Sequence, residues 1–371
     1  MKSLISAARL LPFLAFCLLG VSSTCMAQQK TGATFQAPGA TLYYEVFGSR
    51  KGTPLVVVKE PEEFVRAMEQ FLSEPRAISA QNRHKPSAPV LGPVKTIEVN
   101  GVQLAYVERG RGEPVVLIHP GFLHDYRTWS TQLPAFSRRY RVIAYSMRYR
   151  WPNTPSGDGS DLSPSVNAAD LVGLIEGLKL GRVHLVGHSG SAGLALRMAR
   201  DRPDLVRSLV LGEPGAQAFA AGNLEARPLY SPELINDVRQ AFERGDIEAA
   251  VQMVRETVLG KERAADPGPA WVRRMLLDNA WQLKQLWTRG ERQPPVTCEE
   301  ARRIKLPTLL LGGDRSPGIF RLVLDELQKC LPASERGVLP ESSHGLELEN
   351  PAAFNKIVLG FLTRNSRPAR R

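Results

Sequence analysis

Six histidines and four cysteines are all that this chain of 371 residues holds of two common metal-binding residue types. Cys17 and Cys25 fall near the start, and Cys298 and Cys330 stand far apart in sequence. There is no Cys-x-x-Cys pair and no zinc-ligand spacing, so neither a structural zinc site nor a dithiol redox centre is expected. No motif asks for a cofactor. Aromatic residues are few, at 7%, and do not interleave with basic ones. That removes the stacking-plus-cation pattern of nucleic-acid binders, so nucleic acid is not an expected partner in spite of a net charge of +11. Past the first 27 residues no run is apolar enough to cross a bilayer.

What is present begins with Lys2 and Arg9, the apolar stretch Leu10 to Val21, and the small-residue site Cys25-Met26-Ala27. This is the pattern of a secretory signal peptide over residues 1–27, and it predicts an exported protein, periplasmic or secreted. Its removal takes the net charge from +11 to +9. Arginines gather at Arg138, Arg139, Arg141, Arg148 and Arg150 and again in the tail 364–371. Most read as solvated faces, and together they suggest loose contact with an anionic cell surface. An oxidising compartment would let Cys298 and Cys330 pair, although their spacing alone decides nothing.

Residues 77–93, ending in Lys85-Pro86-Ser87-Ala88-Pro89-Val90-Leu91-Gly92-Pro93, read as a linker. Beyond it, short apolar runs alternate with helical patterns through residues 94–363. A hairpin is expected at Asn100-Gly101 and strands over 114–118, 141–145, 183–186, 205–211, 307–311 and 336–339. Helices are expected over 168–178, 194–199, 321–330 and 351–362. Such alternation implies an α/β fold with a mostly parallel central sheet covered on both faces. Between the strands ending near 211 and starting at 307 lies a helical insertion, about 216–300, with periodic stretches at 232–242, 247–258 and 271–286. It would cap the carboxyl ends of the strands, where such sheets bind ligands. Trp271, Trp281 and Trp287 belong to it and fit packing of the cap or the lining of a pocket.

The segment 28–76 carries an echo. Gly39 to Tyr44, Gly52-Thr53-Pro54 and Val56-Val57-Val58 parallel Gly101 to Tyr106, Gly112-Glu113-Pro114 and Val116-Leu117-Ile118. Pro61 to Phe64 with Phe71-Leu72 parallels Pro351 to Phe354 with Phe361-Leu362. A degenerate partial duplication, with the catalytic middle absent, accounts for it.

The chemistry centres on Val183-His184-Leu185-Val186, which leads into Gly187-His188-Ser189-Gly190-Ser191-Ala192-Gly193 and then a helical run. A strand that drives a serine into a tight glycine turn and on into a helix lifts the hydroxyl above the sheet. It also aims the Gly190 N–H at a developing oxyanion. Ser191 stands where the G-x-S-x-G pattern has glycine. An alternative frame with Ser191 as nucleophile starts the turn too late, so Ser189 is the candidate. A serine hydroxyl needs a base, and His344 alone among the histidines follows the cap, in Glu341-Ser342-Ser343-His344-Gly345.

With these residues in hand, positions 95 to 363 resemble the α/β-hydrolase superfamily with a helical cap, nearest its esterase, haloperoxidase-like and C–C hydrolase branches. Leu117-Ile118-His119-Pro120-Gly121-Phe122 resembles the oxyanion loop of that family, with Pro120 in place of the usual glycine. The resemblance implies Gly121 as a second oxyanion donor beside Gly190. It implies an acid from one of two places, Asp314 after the strand 307–311 or Glu213 after the strand 205–211, and both stay open. Related epoxide hydrolases and haloalkane dehalogenases carry an aspartate where Ser189 stands, which argues against those activities. The expected function is hydrolysis of small-molecule esters, lactones or thioesters through an acyl-enzyme. Perhydrolase or haloperoxidase activity would use the same residues, and the alternative is a catalytically weak binding protein for a small ligand or partner.

Overall fold

The computed structural model describes residues 31–37, 40–47, 55–58, 91–121, 123–155, 159, 161–216, 219, 231–289 and 296–367. Side chains of 31–58 and 286–289 are not part of that description. The expected leader 1–27, most of the expected linker, residues 61–72, the Trp287 side chain and the tail beyond 367 lie outside it. The chain divides into two compact units, Met1–His84 and Lys85–Arg371.

Among the described residues the first unit has three antiparallel strands, β1 Thr31–Ala37, β2 Ala40–Phe47 and β3 Leu55–Val58. Strand β1 was not expected from the sequence. It pairs with β2 in a register that ends at Ala37 opposite Ala40.

The second unit holds β4 Lys95–Val99, β5 Val102–Arg109, β6 Pro114–Ile118, β7 Arg141–Tyr145, β8 Val183–His188, β9 Val206–Gly212, β10 Thr308–Gly313 and β11 Ser334–Leu339. They form one sheet in the order β11-β10-β9-β8-β6-β7-β5-β4. Strands β4 and β5 are antiparallel additions at one edge and the other six run parallel. The β4–β5 hairpin turns where Asn100 and Gly101 both take positive φ, 48° and 76°, which a two-residue turn of matching twist requires. It closes with Val99 opposite Val102, the same spacing as Ala37 opposite Ala40 in the first unit.

The helices are α1 Gln132–Phe136, α2 Pro164–Gly177, α3 Gly190–Asp201, α4 Pro232–Glu243, α5 Ile247–Leu259, α6 Lys261–Ala265, α7 Ala270–Asp278, α8 Ala280–Arg289, α9 Cys298–Arg302, α10 Gly318–Cys330, α11 Leu346–Glu349 and α12 Pro351–Arg364. Local chemistry sets their starts. Ser163, Ser231, Asp246 and Asn350 each accept a first-turn N–H, and proline follows three of the four at N1. The Ser163 cap is why α2 starts four residues before the expected 168. The stretch expected as one helix over 271–286 is two, broken at Asn279. Its side-chain amide donates to Asp125 Oδ2 and to the Met275 carbonyl instead of continuing the helical pattern.

Two buried apolar clusters flank the sheet. One joins Leu171, Leu174 and Met198 to the strands, the other joins Trp129, Phe136, Phe354 and Phe361 to them. This is a three-layer α/β/α arrangement. Helices α4 to α8 build the cap, between β9 and β10 as expected. Its own cluster includes Val238, Phe242, Val254, Leu276 and Leu283, and it closes on Leu123 beside the loop after β6. Trp281 packs edge-on against Tyr149. No described helix is long and apolar enough to cross a membrane.

Cys298 and Cys330 form a disulfide across a separation of 32 residues, tying the start of α9 to the end of α10. Closing a loop of that length in the unfolded chain is worth roughly 4 kcal/mol. Reduction is therefore expected to lower the unfolding free energy by about that amount and the denaturation midpoint in proportion, measured by denaturant titration with and without reductant. An unchanged midpoint would contradict it.

Candidate active site

Strand β8 ends at His188, and Ser189 sits on the turn into α3 with φ 57° and ψ −125°. A non-glycine residue held there costs on the order of 1–3 kcal/mol, so the surroundings must enforce it. They do so from both sides. The Ser189 N–H donates to the Gly212 carbonyl at 2.8 Å, and its own carbonyl accepts from Gly215 N–H at 3.0 Å. At Gly187 a Cβ would stand 2.7 Å from the Ser191 carbonyl oxygen, so the turn needs glycine there. Ser191 is fully engaged instead. Its hydroxyl lies 2.7 Å from the Ile118 carbonyl and accepts from His188 N–H at 3.0 Å. It is a buried brace between β6 and β8, an arrangement that argues against the alternative nucleophile frame.

Gly190 opens α3, whose first N–H groups have no intrahelical acceptor. A Cβ on either Gly121 or Gly190 would lie 3.1 Å from the other's Cα, so the two backbones approach as closely as glycine allows. The loop with Gly121 is held by His119, whose Nδ1 bonds the Pro120 carbonyl at 2.8 Å while Nε2 accepts from Met147 N–H at 3.1 Å. Burial, with help from the nearby Arg150 charge, pushes His119 down to about 3, so it serves as a neutral strut. Arg150 donates to the Gly121 carbonyl.

His344 is buried and its Nδ1 bonds Glu213 Oε2 at 2.6 Å. The Phe320 ring stacks on the imidazole at 3.9 Å and fixes its plane. Glu213 Oε1 accepts from Gly313 N–H at 2.8 Å. Burial raises the Glu213 carboxyl, but the bond to His344 and the charge of that ring outweigh it, leaving it below its ordinary value. Burial also dominates at His344 and keeps it below its ordinary value, against the pull of Glu213. Asp314, the other acid expected from the sequence, is not His344's partner. It is exposed and accepts from Ser342 N–H at 3.1 Å, so it steadies the histidine loop from outside. The reason is the strand order. Strand β9 lies between β8 and β10, so its end carries Glu213 inward under His344 while Asp314 turns away to solvent.

Ser189 and His344 line one cavity of about 170 Å3, closed from above by Val254, Trp271 and Leu276 of the cap. Sequence reasoning missed His188 and Glu347, which also line it. His188 Nδ1 bonds Glu347 Oε1 at 3.1 Å, and the His188 and His344 rings are 4.8 Å apart. Burial lowers His188, but Glu347 and then Glu213 raise it above its ordinary value overall. The signal was a glutamate three residues after His344, unreadable without the 159-residue approach. His188, Glu213 and His344 offer ligand atoms within 4.8 Å of one another, yet both histidines already commit Nδ1 to a carboxylate.

Two arginines depart from the expectation of solvated faces. Arg148 and Arg150 are buried. Arg148 grips Asp170 with Nε at 2.7 Å and Nη2 at 2.8 Å.

The sequence profile of the alpha/beta hydrolase family matches residues 115–357, most of the chain. The chain belongs to that family. Among curated relatives, human serine hydrolase BPHL is 29% identical over 269 residues, covering 72% of this chain and 85% of BPHL. Epoxide hydrolase 3 of Xenopus tropicalis is 28% identical, covering 71% of this chain and 75% of the relative. Among solved structures, a bromoperoxidase from Bacillus anthracis superposes with a TM-score of 0.61 at 22% identity, covering 73% of this chain and all of its own, and shares the fold. General hydrolase chemistry is what this family membership supports.

Proposed function

We propose that this alpha/beta hydrolase cleaves small esters, lactones or thioesters through an acyl-enzyme on Ser189. The observation that carries the reading is the buried 2.6 Å bond between His344 and Glu213 in the cavity that also holds the strained Ser189. His344 would take the hydroxyl proton as Ser189 attacks a carbonyl, then return it to the leaving group. Glu213 would hold the tautomer and stabilise the imidazolium. The Gly121 and Gly190 amides would receive the oxyanion. A serine forms and hydrolyses an ester, whereas opening an epoxide through an alkyl-enzyme calls for a carboxylate nucleophile, so acyl transfer is favoured over the activity named in the amphibian relative. The leader-like first 27 residues and the Cys298–Cys330 bond support export, and the basic balance supports loose contact with an anionic surface.

The test is a fluorophosphonate probe on the folded protein, with the adduct located by peptide mass spectrometry. One adduct per chain on Ser189 is expected. An adduct on Ser191, or none with either a bulky or a small probe, would overturn the proposal.

A further inference from the structure

Two residues beyond Arg148, with its bidentate carboxylate, Arg150 is buried without one. Its relative exposure is 2%, and its Nη2 is spent on the Gly121 carbonyl. Its Nε and Nη1 are buried and have no hydrogen-bond partner. The acid that bears on it, Asp125, is already held by Arg127 at 2.6 Å and by the Asn279 amide at 2.8 Å. Burial pulls the Arg150 guanidinium down to about 9 against the weaker pull of Asp125. A charge buried without a partner is destabilising, and an incoming anion would offset that cost.

Arg150 lines a cavity of about 300 Å3 behind the Gly121–Gly190 wall. This cavity shares no lining residue with the one that holds Ser189. Two more orphaned polar atoms belong to its lining residues, Asn167 Oδ1 and Gln282 Oε1. Both are acceptors. The remaining surface is mostly apolar, with Leu162 and Phe219 among its walls. Arg150 with its two orphaned nitrogens, a second arginine on the lining, Arg197, which has partners of its own, two acceptors and an apolar wall describe an amphiphilic organic acid that also carries a hydrogen-bond donor.

We propose that this cavity binds a small hydroxy-carboxylate. The Arg150 guanidinium would pair with the carboxylate in the fork geometry that arginine favours. The hydroxyl would donate to Asn167 or Gln282, and the carbon skeleton would lie on the apolar walls. The occupant presses on the far side of the two backbones assigned to the oxyanion, so the site is placed to act on turnover. Its binding does not depend on the catalytic reading of Ser189.

The experiment is calorimetric titration of the whole protein with lactate, its neutral counterpart lactamide, and propionate, which lacks the hydroxyl. Lactate is expected to bind, propionate more weakly, and lactamide not at all. Arg150→Met should weaken lactate at least about tenfold, the cost of one charge-assisted pair. Because Arg150 also holds the Gly121 loop, Gln282→Leu and Asn167→Leu serve as second variants. They should keep propionate binding and lose the preference for lactate. Equal binding of lactate and lactamide, affinity unchanged in Arg150→Met, or no binding of either acid would overturn the proposal. Against a neutral nitrophenyl ester, any effect of lactate on turnover is expected to persist at saturating ester, and simple competition with the ester would place the acid in the Ser189 cavity and overturn the proposal.

Discussion

Ser189→Ala is expected to reduce kcat on any accepted ester by on the order of 10^6, because in the proposed acyl-enzyme route the hydroxyl forms the covalent bond and the histidine would have nothing left to activate. Alanine keeps a Cβ at the same positive φ, so the backbone strain remains and the folded state should be affected little. The two effects are read separately, as single-turnover and steady-state rates and as the denaturation midpoint. Residual activity near the wild-type level would mean that another nucleophile does the work. Loss of the midpoint along with the rate would make the result uninformative about chemistry, and a Ser189→Cys comparison would then decide, since a thiol retains a nucleophile in the same turn.

The second large effect belongs to Glu213. Glu213→Gln should lower kcat by roughly 10^3 to 10^4, the size of the loss when a triad acid becomes an amide and the histidine takes the wrong tautomer. The pH profile carries a sign that a merely structural defect would not reproduce. His344 must be neutral to accept a proton, so kcat/KM rises with pH through its pKa. Burial already holds that pKa below 6.5, with Glu213 pulling it back up. Removing the carboxylate charge removes the upward pull, so the acid limb of kcat/KM should move to lower pH even as the rate falls. His188 beside it, whose own pKa Glu347 raises, pushes the same way. Asp314→Asn should leave rate and acid limb nearly unchanged, because its exposed carboxylate receives backbone N–H groups of the 341–342 turn and does not reach His344. If Asp314→Asn carried the larger loss, the assignment of the acid would be wrong.

The contrast between these two acids marks where the sequence stopped being legible. Apolar runs bounded by Pro114, Arg141 and Val183 gave the parallel strands almost residue for residue, since such strands are buried on both faces. The elbow and the histidine loop were legible because a tight turn and a chain order constrain them locally. The acid was not, because both β9 and β10 end beside the histidine and only the lateral order of strands decides between them. The His188–Glu347 pair and the burial of Arg148 and Arg150 were hidden for the same reason. Each depends on a partner or a wall that is remote in sequence, as Asp170 is for Arg148. Strand β1 has ordinary strand chemistry in seven residues, and only its pairing with β2 sets it apart.

The clamps around the cap make that insertion a replaceable part. On the way in, Glu213 N–H is bonded to the Leu311 carbonyl and Gly215 N–H to that of Ser189. On the way out, Cys298 is joined covalently to α10. Both feet are therefore riveted to the sheet layer, one of them by the very residue that orients the base. Helices between the feet are the part whose replacement is expected to leave the Ser189–His344–Glu213 spacing in place, provided that the Asn279 and Gln282 bonds to the loops after β6 and β7 are kept. Substrate preference can drift through the cap while the catalytic geometry is inherited intact.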